Sequence, residues 1–274
     1  MQQAIEQAAD SKFVELMKKI RNKELSLSFS AMQKFAQSPS HFISYKLRTV
    51  VRTPAMAFGS MVDCLLFTPD EFDEKYFSID DSAICAKLVN EGAKSPRSTG
   101  KYKEWLAGFM QDQNGKEKVS AAEHELAKRL VDRLQKNESS RWVLDQIGEV
   151  QKPVQFDWQG YKWRGYIDGE GETIRMDLKI FKDAQPDAVR RKIIYDKYLW
   201  QPSVYQLGEG KKDFYFVVAD RTLGISVHRV SDAQIRGAID ELEYYVSLLK
   251  KCSVFNEWDC SYDFFAPSSG IYEI

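Results

Sequence analysis

The sequence predicts an α/β protein in which helices flank a mixed β-sheet and a mostly helical N-terminal part precedes that sheet. In the first half of the chain, apolar residues recur at helical spacing between helix-capping patterns. From residue 149 onward, several segments alternate apolar and polar side chains, which is the period of a strand. The continuous apolar run of residues 214–219 is typical of a central strand covered on both faces.

The composition predicts a globular protein. The chain has 274 residues, of which 43% are hydrophobic and 13% aromatic, so it can bury a full core. It has neither an apolar run that could cross a bilayer nor a basic-then-apolar leader, and we therefore expect a cytoplasmic protein with no membrane partner. The net charge of −1 means that any contact with nucleic acid depends on local basic patches.

The cysteines exclude two kinds of metal centre. They are scattered and form no C-x-x-C pair, which argues against a zinc ribbon or an iron–sulfur cluster and fits reduced thiols. They are Cys64, Cys85, Cys252 and Cys260.

The predicted domain organisation is simple. Residues 1–25 form a polar N-terminal helix, and residues 26–274 form one domain, with a helical part at 26–145 and a sheet core at 146–252. Capping patterns mark the starts of four helices within that domain. The capping residues are Ser30 (with Gln33), Ser38 (before Pro39), Ser120 (with Glu123) and Ser231 (with Gln234).

Two features of the helical part have two interpretations each. Asp63 is the single charge inside an apolar helix that ends before Pro69; it either lies on the exposed side, which the pattern alone favours, or faces a metal site. In residues 87–118, basic residues alternate with aromatic ones. That segment either contacts a DNA backbone and stacks on bases, or is a solvated helix with one aromatic face in the core.

The chain is organised around residues 161–205. The segment YKWRGYID ends in Asp168, and in the following strand, ETIRMDLKI, Asp177 and Lys179 share one face. A hairpin turn at residues 169–171 would bring Asp168 beside them. On a later helix, Gln201 and Tyr205 are one turn apart.

These residue types suit hydrolysis of a phosphodiester. Asp168 and Asp177 offer hard oxygen ligands for Mg²⁺, with Mn²⁺ as a substitute, and the carbonyl of Leu178 would complete the shell. The metal would activate a water, while Lys179 would position that water or neutralise developing charge. Gln201, together with the tyrosine one turn later, would orient the lysine or grip a phosphate.

The same pattern also has an explanation that involves no catalysis. A D-x-K strand face is also what a solvent-facing strand with a weak surface ion pair looks like. The upstream acid at Asp168 and the Q-x-x-x-Y pattern on a following helix favour catalysis.

The order D-(x)n-D-x-K followed by Q-x-x-x-Y resembles the PD-(D/E)XK nuclease superfamily, in its RecB-like branch. The wider pattern is similar to the nuclease domain of exonuclease VIII (RecE) and its phage relatives, over residues 26–252. The resemblance implies a restriction-endonuclease-like fold and an ATP-independent, Mg²⁺-dependent exonuclease. It also implies resection of linear double-stranded DNA from 5′ to 3′, a 3′ overhang for recombination by a single-strand annealing (RecT-like) partner, and a homo-oligomeric ring.

By position, the resemblance makes Asp168, Asp177 and Lys179 the catalytic core, with Gln201 and Tyr205 as the accessory motif.

Two further acids are metal-ligand candidates by the same comparison. Glu149 occupies the place of an additional acid, and Asp63 stands where relatives commonly have histidine.

Two other functions stay open at this point. A RecB-like endonuclease or flap nuclease would differ from an exonuclease by cutting closed circular DNA. A nuclease-like DNA-binding subunit would cleave nothing, although a purely structural role has no need of the Asp–Asp–Lys trio.

Overall fold

The computed structural model describes residues 2–47 and 53–258, with residues 2–10 described as helical backbone only. Cys260 and the rest of the predicted domain beyond residue 258 lie outside the described residues. By their contacts, the residues divide into two compact units. The first draws on residues 1–52, 138–220 and 224–274, and the second comprises 53–137 and 221–223. The single domain over 26–274 stays a prediction.

The described elements, in chain order, are α1 (Gln2–Arg21), α2 (Phe29–Phe35), α3 (Pro39–Leu47), α4 (Pro54–Phe67), α5 (Phe72–Lys75), β1 (Tyr76–Ser78), α6 (Ser82–Asn90), α7 (Gly100–Asp112), β2 (Glu117–Val119), α8 (Ala121–Lys136), α9 (Glu138–Leu144), β3 (Ile147–Trp158), β4 (Tyr161–Gly171), β5 (Ile174–Phe181), α10 (Pro186–Tyr195), α11 (Trp200–Glu209), β6 (Asp213–Asp220), β7 (Ile225–Val230) and α12 (Asp232–Phe255). Short 3-10 helices lie at Pro69–Glu71 and Pro96–Ser98. Among these helices, none combines the length and the apolar character that crossing a bilayer requires.

The first unit contains a five-stranded mixed sheet in the order β3-β4-β5-β6-β7. β3–β4, β4–β5 and β6–β7 are antiparallel, whereas β5 and β6 are parallel. A parallel pair needs a crossover connection, and α10 and α11 form it. β6 has buried residues from both faces, including Phe214 and Val217, as its continuous apolar run predicts.

Helices flank this sheet on both sides. α11 packs against β3 and β4 on one face and against α12 on its outer side. On the other face, α9 contacts the sheet through Trp142, whose ring centroid lies 5.5 Å from that of Tyr215 on β6. The predicted mixed α/β architecture with flanking helices is confirmed.

Three of the four predicted helix starts are confirmed, and one is wrong by two residues. Ser120 and Ser231 cap α8 and α12, and α3 begins at Pro39 directly after Ser38. α2 is capped by Ser28 and not by Ser30. Ser28 has an extended backbone (φ −149°) and accepts the amide hydrogen of Ala31, so the helix begins two residues earlier than the capping-box pattern indicated.

The second unit is mostly helical. α4 packs against α8, and the short strands β1 and β2 form a parallel pair. In α7, the buried Tyr102 donates a hydrogen bond to Asp81, and the rings of Trp105 and Phe109 stack with centroids 5.6 Å apart. These aromatic side chains contact one another and neighbouring residues of this unit, which favours the packing interpretation over stacking on bases.

Candidate active site on strands β4 and β5

The polar face of β5 is buried. Arg175 is 2% exposed and Asp177 is 1% exposed, while Lys179 retains 19% exposure of its side chain. α11 supplies hydrogen-bond partners for both Arg175 and Asp177. The alternation of β5 is therefore as predicted, but the solvent-facing alternative is wrong.

Asp168 reaches the site by a different route from the predicted turn at residues 169–171. β4 continues through Gly171, pairs Gly169 with Met176 on β5, and leaves residues 172–173 as the link between the strands. The Oδ2 atom of Asp168 accepts a hydrogen bond from the amide of Leu178 at 3.0 Å. This contact holds Asp168 beside β5 at the level of Asp177.

The lysine of the D-x-K pattern is charged and aimed at the aspartate. Lys179 Nζ lies 2.6 Å from Asp177 Oδ2 and 5.3 Å from the centre of the Tyr198 ring. Burial alone would lower the pKa of Lys179, but the negative charges of Asp177 and Asp168 outweigh it, and the pKa is raised. The site therefore contains a fixed ammonium at neutral pH.

Gln201 and Tyr205 act on the carboxylate and on the strand rather than on the lysine. Gln201 Nε2 donates to Asp177 Oδ1 and to the Tyr205 hydroxyl, the latter at 2.9 Å. The Tyr205 hydroxyl in turn donates to the main-chain carbonyl of Tyr166 on β4. Since Tyr205 is 4% exposed and its pKa is raised by burial and by Asp177, it is a neutral buried donor and does not grip a phosphate.

Two buried oxygen atoms in this cluster lack a hydrogen bond. They are Asp177 Oδ2 and Gln201 Oε1. The contact of Asp177 Oδ2 with Lys179 at 2.6 Å is a charge contact without hydrogen-bond geometry. Asp177 Oδ2 is therefore balanced by the charge of Lys179, whereas Gln201 Oε1 is the buried acceptor without a polar partner.

A network of charged residues that the sequence patterns did not predict lies next to the Asp168–Asp177–Lys179 cluster. Arg175 donates to the carbonyls of Glu209 and Gly210 at the end of α11, at 2.9 and 2.6 Å, and to the carboxylate of Glu170. Glu170 also accepts from Lys212 at 2.5 Å. Alternation placed Arg175 on the same face as Asp177, but sequence alone gave no sign that a helix end would cover it.

The other two predicted metal ligands, Glu149 and Asp63, lie on other elements than Asp168 and Asp177. Glu149 is exposed on β3, where its register partner is Glu170. Within the part of the chain that the structure describes, no group of three or more His, Cys, Asp or Glu side chains converges as a metal site. Asp63 is half-buried on α4 in the second unit. Metal ligation by Glu149 and Asp63 stays a prediction.

Comparison with known proteins decides the family. Residues 28–260 match the model of a family described as a PDDEXK-like domain of unknown function (DUF3799). The chain belongs to this PDDEXK-like family. The match spans Asp168, Asp177 and Lys179, as well as α11 with its glutamine and tyrosine.

One solved structure agrees with this fold over most of the chain. A candidate exonuclease from Eubacterium rectale is 20% identical, with a TM-score of 0.56 over 85% of this chain and 83% of that chain. An alkaline exonuclease (LHK-Exo) from Laribacter hongkongensis is 16% identical, with a TM-score of 0.30 over 58% of this chain and 85% of that chain. No curated protein matches the sequence. The PDDEXK-like family and the first of these structures establish a restriction-endonuclease-like fold.

The cluster fits a divalent metal of the hard, oxygen-preferring kind. Asp168 and Asp177 supply two carboxylates, and the buried Oδ2 of Asp177, which faces the Lys179 ammonium, has lone pairs to offer a cation. Mg²⁺ is usually held by one or two carboxylates plus waters, so two acids suffice. The site has no thiolate or imidazole that would favour zinc.

Replacing Tyr205 by phenylalanine tests its supporting role. We expect the free energy of unfolding to fall by about 1–3 kcal/mol, because Gln201 and the Tyr166 carbonyl lose a buried partner. The cleavage rate per folded molecule should fall less than tenfold. Chemical denaturation and a rate assay check this, with Tyr195→Phe, at a 78% exposed position on α10, as the matched control. A loss above a hundredfold at unchanged stability would instead make Tyr205 a catalytic residue.

Proposed function

We propose that this protein is a Mg²⁺-dependent exonuclease that hydrolyses phosphodiester bonds in linear double-stranded DNA. The observation that carries the proposal is the buried Asp177 carboxylate. One of its oxygens is fixed by Gln201, and the other faces Lys179 with no hydrogen bond of its own. A solvated surface pair would not be buried in this way, and a second acid beside the pair, Asp168, adds the oxygen ligands that a metal needs.

Asp168, Asp177 and the carbonyl of Leu178 would hold the ion, with Glu149 and Asp63 as further proposed ligands. When bound, Mg²⁺ lowers the pKa of a coordinated water and withdraws charge from the phosphoryl oxygen, and Mn²⁺ supplies the same chemistry.

The protein's own groups prepare the site for a phosphate. Lys179 carries a fixed positive charge that orients the attacking water and offsets the charge that develops on the phosphoryl oxygens. Gln201 fixes the rotamer of Asp177, so that its second oxygen faces the reaction centre. Tyr205 ties Gln201 to β4, which keeps α11 and the strand bearing Asp168 in register. Preorganisation of this kind removes a reorganisation cost from the chemical step.

The finer features of the proposal are supported by the resemblance to exonuclease VIII and its phage relatives. These are digestion from 5′ to 3′ without ATP, a 3′ overhang, transfer of that overhang to a single-strand annealing partner, a homo-oligomeric ring and action in the cytoplasm. The duplex end is the proposed substrate, because an exonuclease must thread or cap an end before it cuts.

The deciding experiment is digestion of linear duplex DNA labelled separately at its 5′ and 3′ ends. With Mg²⁺, we expect early release of the 5′ label in short products and no cutting of a closed circular duplex. EDTA and the Asp177→Ala substitution should each abolish the release.

The matched control for this experiment is Asp240→Ala, which removes an exposed carboxylate on α12 and should leave the rate unchanged. Cutting of the closed circle would replace the exonuclease by an endonuclease. If no DNA is cut with Mg²⁺ or Mn²⁺, the catalytic proposal is wrong and a DNA-binding subunit remains.

A further inference from the structure

The first unit contains a polar cavity that the proposed mechanism does not use. Its volume is about 370 Å³, and it lies between α1, α3, the segment before α2 and β4. Four cationic side chains and two carboxylates line it: Lys12, Lys19, Lys46 and Arg164, with Glu15 and Glu24.

The positive charge of the cavity is only partly neutralised. Lys19 pairs with Glu15 at 2.7 Å. Lys46 donates to the main-chain carbonyl of Ser26 at 2.9 Å, and neither it nor Arg164 forms an ion pair with any carboxylate in the described part of the chain. With four cationic side chains against two carboxylates in its lining, the concave site keeps an excess of positive charge, which favours binding of an anion.

The pKa of Lys46 also indicates a site that favours an anion. Burial, together with the charge of Arg164, lowers the pKa of Lys46 to about 8. At neutral pH both groups are still charged, and each raises the energy of the other. A bound anion would relieve that repulsion.

The cavity lies on the strand that carries the first catalytic aspartate. Along β4, Lys162, Arg164 and Tyr166 are exposed, and the half-buried Asp168 follows two residues after Tyr166. Four residues of a strand span about 13 Å. The charges of one DNA strand rise about 3.4 Å per phosphate along the helix axis, so a cation at this distance would meet the backbone at a phosphate other than the one that is cut.

We propose that this cavity binds an internal backbone phosphate of the DNA substrate, away from the bond that is cut. The planar guanidinium of Arg164 would contact two phosphate oxygens, and the Lys46 ammonium would provide the second charge. The exposed ring of Tyr166, between cavity and active site, would lie along the same strand of DNA. This inference rests on the proposed function, because it takes the substrate to be DNA.

The test is binding of a fluorescent duplex DNA oligonucleotide without divalent metal, followed by anisotropy across a salt series. For Arg164→Gln combined with Lys46→Gln, we expect the Kd to rise about tenfold, since a charge-assisted contact is lost. The slope of log K against log salt should decrease in size by about one, the value for one phosphate contact. Arg236→Gln, which removes an exposed arginine on α12 outside the cavity, should change neither quantity.

A second arm measures thermal stabilisation of wild type and variant by inorganic phosphate. If phosphate stabilises only the wild type while DNA binding is unchanged by the substitutions, the cavity binds free phosphate and the DNA-backbone assignment is overturned. If wild type binds and cuts DNA and the double variant matches Arg236→Gln in both arms, the cavity is no phosphate site. If wild type neither binds nor cuts DNA, the proposed function fails together with the assignment to DNA.

Discussion

Replacing Lys179 by glutamine is expected to lower the rate of DNA cleavage by about 10²- to 10³-fold. The side chain is the charged group closest to the Asp177 carboxylate, at 2.6 Å. A fixed charge in a site that excludes water is worth far more than one on the surface, and removal of one such stabilising group has costs of this size in other hydrolases. Single-turnover cleavage of end-labelled duplex DNA at saturating Mg²⁺ measures the rate.

Folding has to be separated from chemistry in this experiment. Without its ammonium partner, Asp177 is a buried and uncompensated charge, so Lys179→Gln should also be less stable. The rate is therefore compared at a temperature where circular dichroism shows both proteins folded. Lys251→Gln, at an exposed position on α12, is the control for loss of one positive charge. A folded Lys179→Gln protein that cuts within fivefold of wild type would remove Lys179 from the mechanism.

The direction of the Lys179 pKa shift adds a pH criterion. Since this pKa is raised above the ordinary 10.5, the ammonium is fully present below that pH and is lost only as pH rises through the folded-state value. The wild-type rate should show no decline below pH 10.5 that comes from deprotonation of Lys179.

The sequence was sufficient for those parts of the site that depend on local periodicity. The period of two along β5 placed Asp177 and Lys179 on one face, and the period of the helix placed Gln201 and Tyr205 one turn apart. The structure brings these residues together with Asp168, because the crossover between two parallel strands lays α11 over that same face.

Other parts depend on tertiary contacts that no local pattern encodes. The turn was predicted at the glycine pair around Glu170, but β4 runs through these residues, because Glu170 is needed inside the sheet as the partner of Arg175. The D-x-K pattern left a solvent-facing strand as the less favoured alternative, and only the end of α11 accounts for the burial of Arg175. Glu149 was chosen by position along the chain, and the fold leaves it exposed.

Arg175 gives the largest expected effect on stability. Arg175→Met should lower the free energy of unfolding by about 3–5 kcal/mol, because it leaves the buried Glu170 short of a charge partner and two carbonyls at the end of α11 without donors. Arg229→Met is the matched control: that arginine is 59% exposed and pairs with Asp213 at 2.9 Å, a type of pair worth about 0–1 kcal/mol. Urea denaturation measures both.

The kcat and KM of Arg175→Met show whether Arg175 only stabilises the fold or also positions the catalytic residues through α11. α11 presents Gln201 to Asp177, and Arg175 anchors the opposite end of that helix, so we expect kcat per folded molecule to fall about tenfold with KM for DNA unchanged. The Glu170→Gln and Arg175→Met substitutions should couple, with a double-mutant loss smaller than the sum of the single losses. An unchanged kcat would confine Arg175 to stability.

The pH dependence of unfolding reports on the same network. Burial opposes ionisation of Glu170, but its hydrogen bonds with Lys212 and Arg175 outweigh this, and its pKa is lowered to about 2. A depressed acid pKa contributes stability above the ordinary 4.5, and that contribution is lost as pH falls from there toward 2. Arg175→Met removes one of the three cations that pair with Glu170, the others being Lys212 and Lys152, so its acid transition should lie at higher pH than that of wild type. A transition at the wild-type pH would show that the two lysines keep Glu170 ionised without Arg175.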